Sequence, residues 1–313
     1  MAELLLQQLS LADDFMSMRS ALKQARDLRI RDPELVAKYG SELLSGKHRG
    51  RLTTEEVWAL HEQVAVAALD VGNTELALSL LQNVHRAFPQ GARASRLAGI
   101  YFEALGKWSD AEKLYKKELE KDAQNALMLK RLAAVKKGQG DVQGAAEQLK
   151  TYLTTQSTDL LAWEELADLY LQAQMYQQAA FCLEELLLHQ PSNPAHHLLL
   201  ADTLYTLGGP QNWRTARSYY SGVVELTNGR ELRALYGVCA CTAQLTGVRG
   251  GSSSGSRSSG GGGAAAGDAV ETAQSAAEFG KLAGEALLQR YALSCPDKLP
   301  LVKAMLAGQG IKV

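Results

Sequence analysis

Residues 162–191 read AWEELADLYLQAQMYQQAAFCLEELLLHQP and carry the pattern of two helices joined by a tight turn. In the second half, Leu183 and Leu187 follow Ala179 at intervals of four residues, which places all three on one face of a helix. Pro191 ends this helix, because proline lacks the amide proton that a helix interior requires. The stretch therefore predicts a helical hairpin.

The same hairpin recurs along the chain with a period of 34 residues. Its small residue occupies positions Ala77, Ala111, Ala145 and Ala179. The turn position five residues earlier holds Gly72, Gly106, Gly140 and Gln174. A small side chain is required where two helices cross closely, and glycine suits a turn that needs a positive φ angle. A fifth copy has its small residue at Ala216, because the loop LGGPQNW carries three extra residues.

Helices flank the recognisable copies on both sides. Residues 13–28 and 33–44 predict two amphipathic helices, with Asp32 as the N-cap of the second and Pro33 at its first position. The remaining helices are expected at 231–245, 268–291 and 298–306. Together these elements predict an all-α, right-handed solenoid of about five to six helical hairpins, with capping helices at both ends.

One segment of the chain cannot contribute to a core. Residues 250–267 consist of glycine, serine and alanine with a single Arg257, a composition that buries little apolar surface and favours a flexible tether. The predicted organisation is N-terminal capping helices over 1–57, a solenoid over 58–249, a flexible insertion over 250–267 and C-terminal capping helices over 268–313.

The composition argues against several classes of protein. The chain has 313 residues, and its 33 Lys and Arg nearly balance its 34 Asp and Glu, unlike a nucleic-acid-binding protein. We expect no secretory signal at the N-terminus and no membrane span, since no apolar run approaches about 20 residues. Four cysteines without a C-x-x-C pair favour buried thiols in a reducing compartment: Cys182, Cys239, Cys241 and Cys295.

No catalytic motif has the structural context that its chemistry needs. Gly251–Gly255 matches G-x-S-x-G, but it lies in the low-complexity segment with no strand before it. Gly138, Gly140 and Gly144 lack the dinucleotide-binding spacing, and Gly46–His48 lacks the Ser or Thr of a phosphate-binding loop. We therefore predict a protein that is not an enzyme and holds no cofactor or metal ion. The alternative class is an enzyme with a helical accessory array.

Two polar clusters have two interpretations each. Adjacent histidines on a helix point about 100° apart, which favours contacts at a repeat junction over a shared metal ion. The histidines concerned are His189, His196 and His197. The basic run Lys47–Arg51 fits either a solvated loop or a contact with anionic lipid headgroups.

The first helix of each hairpin lines one face of such a stack, so its polar positions are the candidate partner-binding residues. These positions hold Arg96, Glu103, Lys130, Arg131, Lys137, Glu164, Asp168, Asp202 and Tyr205. The face is basic in the middle of the chain and acidic further on, which suits an extended polypeptide of mixed charge. At any single position, an ordinary solvated residue would give the same pattern.

The hairpins share a residue pattern beyond the small residue and the turn. It comprises Trp163, Leu166, Ala167, Tyr170, Ala179, Leu183 and Pro191, and in an earlier copy Ala98, Gly99, Phe102, Gly106, Ala111, Tyr115 and Leu119. This pattern resembles the tetratricopeptide repeat. Some proteins of that class bind chaperones through a carboxylate clamp with two asparagines. Those asparagines have no counterpart here, since Val66 and Leu97 would occupy their positions, which argues against such a clamp. A generic tetratricopeptide adaptor or a chaperone-binding cochaperone is the alternative function.

Several stretches are more specific than a generic repeat. They are WALHEQVAVAALDVG at 58–72, LALSLLQ at 76–82, AWEELADLY at 162–170, AAFCLEEL at 179–186 and RALYG at 233–237. These stretches resemble the family of ER membrane protein complex subunit 2. The resemblance covers Val57–Leu245, whereas the first 50 residues match only loosely.

The resemblance implies a non-catalytic scaffold on the cytoplasmic face of the endoplasmic reticulum membrane. It implies membership of a complex that inserts tail-anchored and multipass membrane proteins without consuming energy. The implied partners are subunit 3, of the Oxa superfamily, subunit 5 and a soluble subunit of the 8/9 type, with subunit 1 as a further candidate. No nucleic acid is implied, and membrane association would be indirect, through these partners.

Overall fold

The computed structural model describes residues 14–46, 48–251 and 273–311. All regular structure within these ranges is helical, which confirms the predicted all-α class. The α-helices are α1 (Phe15–Asp27), α2 (Pro33–Leu44), α3 (Thr54–Val71), α4 (Thr74–Ala87), α5 (Ala92–Ala104), α6 (Trp108–Lys121), α7 (Ala126–Gly138), α8 (Val142–Thr155), α9 (Leu160–Gln172), α10 (Tyr176–His189), α11 (Pro194–Leu207), α12 (Pro210–Leu226), α13 (Leu232–Gly251), α14 (Ala273–Ser294) and α15 (Leu299–Gly308). Short 3-10 helices, Arg49–Arg51 and Pro296–Lys298, precede α3 and α15.

Helix packing divides the chain into two compact units, Met1–Gln156 and Ser157–Val313, which we call unit 1 and unit 2. In unit 1 the hairpins are α1–α2, α3–α4, α5–α6 and α7–α8, and the second helix of each of the first three packs on the next hairpin. In unit 2 the hairpins are α9–α10, α11–α12 and α13–α14, with α15 packed on α14. Each unit is therefore a stack of helical hairpins, as the 34-residue period predicts.

Side chains at the helix starts explain where the N-terminal helices begin. The Asp32 carboxylate accepts a hydrogen bond from the Leu35 amide at 3.2 Å, and Pro33 takes the first helical position. This confirms the predicted start of α2. Before α3, Thr53 and Glu56 form a capping box in which each side chain bonds to the other residue's backbone amide.

The recurring small residues are buried where the helices of each hairpin cross. Each is at most 1% exposed: Ala77, Ala111, Ala145, Ala179 and Ala216. The turns before four of them have a positive φ angle, which is 84°, 70° and 79° at Gly72, Gly106 and Gly140 and 57° at Gln174. The predicted turn thus also forms where a glutamine replaces the glycine.

The two longest of the described helices lie before and after the predicted insertion, and the first of them includes its residues 250 and 251. The helix expected at 231–245 extends to Gly251, and α14 begins at Ala273. Insertion residues 252–267 and residues 268–272, the start of the helix expected at 268–291, lie outside the described residues. Among the described helices, none combines the length and the apolar character needed to cross a membrane.

The prediction of buried thiols is confirmed for three of the four cysteines. Cys182, Cys239 and Cys241 are buried, and burial raises the pKa of Cys182 and of Cys241 to about 12. The prediction is wrong for Cys295, which is exposed because it lies between the end of α14 and the short helix that precedes α15.

Candidate partner-binding surface

The candidate residues lie on α5 and α7 in unit 1 and on α9 and α11 in unit 2. Within unit 1, α3 contacts α5 and α5 contacts α7, and within unit 2, α11 contacts α13. The first helices of successive hairpins thus lie side by side. We call the surface formed by α1, α3, α5 and α7 the unit 1 layer, and that formed by α9, α11 and α13 the unit 2 layer.

Glu62 joins α3 to α5 in the unit 1 layer. Its Oε1 lies 2.8 Å from Arg93 Nε, and its Oε2 lies 3.5 Å from Nη2 of Arg96, a predicted site residue. Glu62, Arg96, Lys130 and Glu164 follow one another at intervals of 34 residues. One position of the repeat therefore carries charges of both signs, and its Glu62 and Arg96 pair between neighbouring hairpins.

The first hairpin joins this layer through arginines near the end of α1. The Arg31 guanidinium donates to both carboxylate oxygens of Asp70, at 2.9 and 2.7 Å. Arg26 donates from Nη1 to the amide oxygen of Gln63 at 2.9 Å. The hairpin predicted as an N-terminal cap thus contributes polar side chains to the same surface as α3.

Glu103, Tyr115 and Arg131 form a cluster, the Tyr115 cluster, that joins α5, α6 and α7. The Tyr115 hydroxyl donates to Glu103 Oε1 at 2.5 Å, and Arg131 donates to both Glu103 oxygens at 3.1 and 2.5 Å. Burial and the bond to Glu103 raise the pKa of Tyr115, so its hydroxyl remains a donor. Gly99 makes room for the ring, because a Cβ there would lie 2.3 Å from it.

The remaining predicted residues of unit 1 lie on α7. The Lys130 ammonium is 5.0 Å from the centre of the Tyr152 ring, within the range of a cation–π interaction. Lys137 is exposed in the last turn of α7, where a positive charge interacts favourably with the helix dipole. Arg131 is thus held in the Tyr115 cluster, whereas Lys137 faces solvent.

The predicted residues of α9 differ in their surroundings. Oε1 of Glu164 lies 3.0 Å from Nε2 of His196, which connects α9 to α11. Asp168, one turn further along α9, is exposed. On α11, the carbonyl oxygen of Tyr205 accepts a hydrogen bond from the Trp213 indole at 3.3 Å.

Asp202, Tyr220 and Arg233 form a second cluster, the Tyr220 cluster, that joins α11, α12 and α13. The Tyr220 hydroxyl donates to Asp202 Oδ1 at 2.5 Å, and Arg233 Nη2 lies 2.5 Å from Asp202 Oδ2. Burial and the bond to Asp202 raise the pKa of Tyr220. Gly237 makes room for this ring, since a Cβ there would lie 2.5 Å from it.

The three clustered histidines make separate contacts. His196 bonds to the α9 carboxylate described above, Nε2 of His197 lies 2.7 Å from the Pro191 carbonyl oxygen, and Nδ1 of His189 lies 2.9 Å from that of Glu185. In the described part of the chain, no three His, Cys, Asp or Glu side chains gather closely enough to hold a metal ion.

The basic run near residue 50 lies partly against an aromatic ring. His48 stacks on Phe15 with ring centres 5.5 Å apart, and the Arg51 guanidinium lies 5.6 Å from the same ring. Lys47 lies outside the described residues.

Sequence reasoning missed several partners of the predicted residues. Glu62 precedes Arg96 by one period and could have been found from the repeat alone. Arg233 lies in the RALYG stretch that carried the family resemblance. Nothing in the sequence indicated that Tyr220 bonds to Asp202, because this contact depends on how α11 and α12 pack together.

Comparisons with known proteins agree with the repeat and its packing. A family model described as the EMC2 TPR-like repeat domain matches residues 76–207. ER membrane protein complex subunit 2-A of Xenopus laevis is 39% identical over 221 residues, which are 71% of this chain and 73% of that protein. ER membrane protein complex subunit 2 of Dictyostelium discoideum is 32% identical over 69% of this chain and 67% of that protein.

The solved structure of the C-terminal part of a TPR repeat-containing protein from Cytophaga hutchinsonii shares the fold. It covers 88% of this chain and 95% of that chain, with a TM-score of 0.55 at 13% sequence identity. The stacked hairpins, the matching family model and the relatives above together establish that the chain belongs to the ER membrane protein complex subunit 2 family, a family of tetratricopeptide-repeat proteins.

Proposed function

We propose that the protein is a non-catalytic scaffold subunit of an ER membrane protein complex. The observation that carries the proposal is the 39% identity, over 71% of the chain, to a relative named as subunit 2 of such a complex. Stacked helical hairpins support it, because they present extended surfaces on which other polypeptides can bind. The protein would lie on the cytoplasmic face of the endoplasmic reticulum, held to the membrane through its partner subunits.

We assign the unit 1 and unit 2 layers to these partners. Exposed Lys137 in the unit 1 layer and exposed Asp168 in the unit 2 layer give the two layers charges of opposite sign, so each layer would favour segments of complementary charge. The proposed occupants are cytosolic segments of subunit 3, of the Oxa superfamily, and of subunit 5, with subunit 1 as a further candidate. A soluble subunit of the 8/9 type would contact the second helices of the hairpins.

The scaffold would act by binding rather than by chemistry. By holding cytosolic segments of the membrane-embedded subunits, it would stabilise the assembled complex by mass action. The assembled complex would then insert tail-anchored and multipass proteins into the bilayer without consuming energy. The Arg96–Glu62 and Arg131–Glu103 pairs would fix the shape of the unit 1 layer, and exposed side chains such as Lys137 would contact the partner.

Affinity purification of the tagged protein from gently solubilised membranes tests the proposal. The test variant combines Lys137→Glu with Asp168→Lys, which reverses two exposed charges of the layers without breaking the tyrosine clusters. The matched control combines Lys117→Glu with Glu184→Lys, two exposed charges on second helices. Each variant leaves the net charge of the chain unchanged.

We expect the wild-type protein and the control to recover subunits 3 and 5 in stoichiometric amounts, and the test variant to recover several-fold less. Equal recovery with both variants would support the scaffold proposal but contradict the assignment of the layers as its binding surface. Recovery of chaperones in place of membrane subunits would contradict the proposal and favour a cochaperone.

A further inference from the structure

A cavity of about 550 Å³ opens in unit 1 beside the end of α1, one face of α3 and the first turns of α5. Small apolar side chains line part of its wall: Ala25, Ala59, Val66 and Ala67. Arginines line much of the rest: Arg26, Arg29, Arg31, Arg93 and Arg96. The cavity therefore combines an apolar wall with a concentration of positive charge.

The carboxylates at the cavity do not balance its arginines. Asp70 pairs with Arg31, and Glu62 is shared between Arg93 and Arg96. The third carboxylate, Asp32, accepts the amide hydrogen bond that caps α2. An excess of positive charge thus remains at the cavity.

The excess charge lies on Arg26 and Arg29. Arg26 donates to the neutral amide of Gln63, and neither arginine forms an ion pair in the described part of the chain. Arg29 is exposed. Two guanidinium groups therefore have donors available beside the apolar wall.

Arg29 has a strained backbone conformation. Its φ angle is +54°, in the left-handed region that disfavours residues with a Cβ. Gly72, Gly106 and Gly140 take this conformation in the turns of later hairpins. Glycine would relieve this strain, so replacing Arg29 by glycine removes the guanidinium without adding strain to the turn.

We propose that this cavity binds a carboxylate adjacent to an aliphatic side chain, on a cytosolic segment of a partner subunit. The inference rests on the proposed function, because the occupant is a segment that the scaffold holds. Arg26 and Arg29 bind the carboxylate through charge-assisted hydrogen bonds, and the aliphatic side chain packs on Ala59 and Val66. An inorganic anion would use the arginines but leave the apolar wall exposed to water.

Peptide binding to the purified full chain tests this site. The probe is a fluorescein-labelled peptide of glutamate and leucine with a free C-terminus. Its two comparison peptides carry glutamine for each glutamate, or the same glutamates with an amidated C-terminus. Weaker binding of the glutamine peptide assigns the carboxylate to side chains, and weaker binding of the amidated peptide assigns it to the chain terminus.

Arg29→Gly is the informative variant, because it removes the charge and relieves the turn at the same time. We expect it to raise the thermal midpoint of unfolding. It should also lower the affinity for the acidic peptide about threefold, the range of one exposed charge pair. Combining it with Arg26→Gln should weaken binding about tenfold. Higher ionic strength should weaken binding to the wild-type chain in the same direction.

Two control variants separate the effect of the lost charge from the effect of the relieved backbone strain. Gln174→Gly relieves the corresponding strained turn of unit 2, where φ is +57°, and should raise the thermal midpoint without changing peptide affinity. Lys113→Gln removes an exposed charge of α6, away from the cavity, and should leave affinity unchanged. If Lys113→Gln lowered the affinity for the peptide as much as Arg29→Gly, non-specific charge attraction would explain the binding and the proposed site would be overturned.

The site and the scaffold fail in distinguishable ways. If the wild-type chain recovers membrane subunits from solubilised membranes but binds all three peptides equally, the cavity assignment is overturned and the scaffold stands. If the acidic peptide binds and Arg29→Gly weakens it while no membrane subunit is recovered, the scaffold is overturned and the acidic-peptide site is supported.

Discussion

The Tyr115 cluster of unit 1 and the Tyr220 cluster of unit 2 are built from the same parts but differ in exposure. Each joins an acidic residue of a first helix to a tyrosine of the second helix and an arginine of the next hairpin. Glu103 and Arg131 are 12% and 32% exposed, whereas Asp202 and Arg233 are 25% and 64% exposed. Because water screens charges, the same arrangement should stabilise unit 1 more than unit 2.

The two clusters also differ in where the tyrosine ring finds room. Tyr115 packs on Gly99, in the first helix of its own hairpin, whereas Tyr220 packs on Gly237, in the first helix of the next one. The ring therefore fixes the packing within a hairpin in unit 1 and between hairpins in unit 2. The two tyrosines thus stabilise different helix contacts, one within a hairpin and the other between hairpins.

The largest effect is expected when a methyl group is added at the first of these contacts. Gly99→Ala should lower the free energy of unfolding by about 3 kcal/mol, because its Cβ would lie 2.3 Å from the Tyr115 ring. That ring is fully buried and held by Glu103, so it has little freedom to move. Chemical denaturation followed by circular dichroism measures the loss.

Gly222→Ala in α12 is the matched control. A Cβ at Gly222 meets nothing within 4 Å, so the higher helix propensity of alanine should raise stability by up to about 1 kcal/mol. If both substitutions had the same effect, the close approach at Gly99 would not constrain the fold.

A smaller effect is expected from removing each hydroxyl group. Tyr115→Phe should cost about 2 kcal/mol and Tyr220→Phe about 1 kcal/mol, because a carboxylate loses a hydrogen-bond donor in each case. Asp202 is the more exposed carboxylate and can regain a bond to water. Denaturation of both variants under one condition gives the ratio, and equal losses would show that exposure does not set the strength of these clusters.

The fold was predictable because its signal is local and repeated. The period places Ala111 and Ala145 at helix crossings, and both are fully buried. Asp32 signals the start of α2 through its own side chain, and the structure shows that hydrogen bond. Such features depend on a few neighbouring residues, so a single sequence is enough to locate them.

The contacts of the candidate surface were less predictable because they depend on long-range geometry. The sequence placed Glu103 on a first helix, but its bond to Arg131 requires the relative position of two hairpins. Arg29 gave no signal, since only the backbone conformation shows that its φ angle lies in the left-handed region. The exposed Cys295 could not be recognised either, because its burial depends on whether another element covers the end of α14.

The smallest effect is expected when each arginine loses its charge. Arg131→Gln should cost about 1 kcal/mol, because Glu103 is only 12% exposed and has little water to replace its cation. Arg233→Gln should cost less than about 0.5 kcal/mol, the range of an exposed ion pair, because Asp202 remains partly hydrated and bonded to Tyr220.

The two arginine ion pairs should differ in their dependence on ionic strength. Raising the ionic strength should remove most of the Arg233 contribution and leave most of that of Arg131, since screening acts mainly on exposed pairs. Denaturation of the wild type and both variants at low and high salt measures this difference. Equal salt dependence would mean that the Arg131 pair is as hydrated as the Arg233 pair, and the two units would then be stabilised by charge to the same degree.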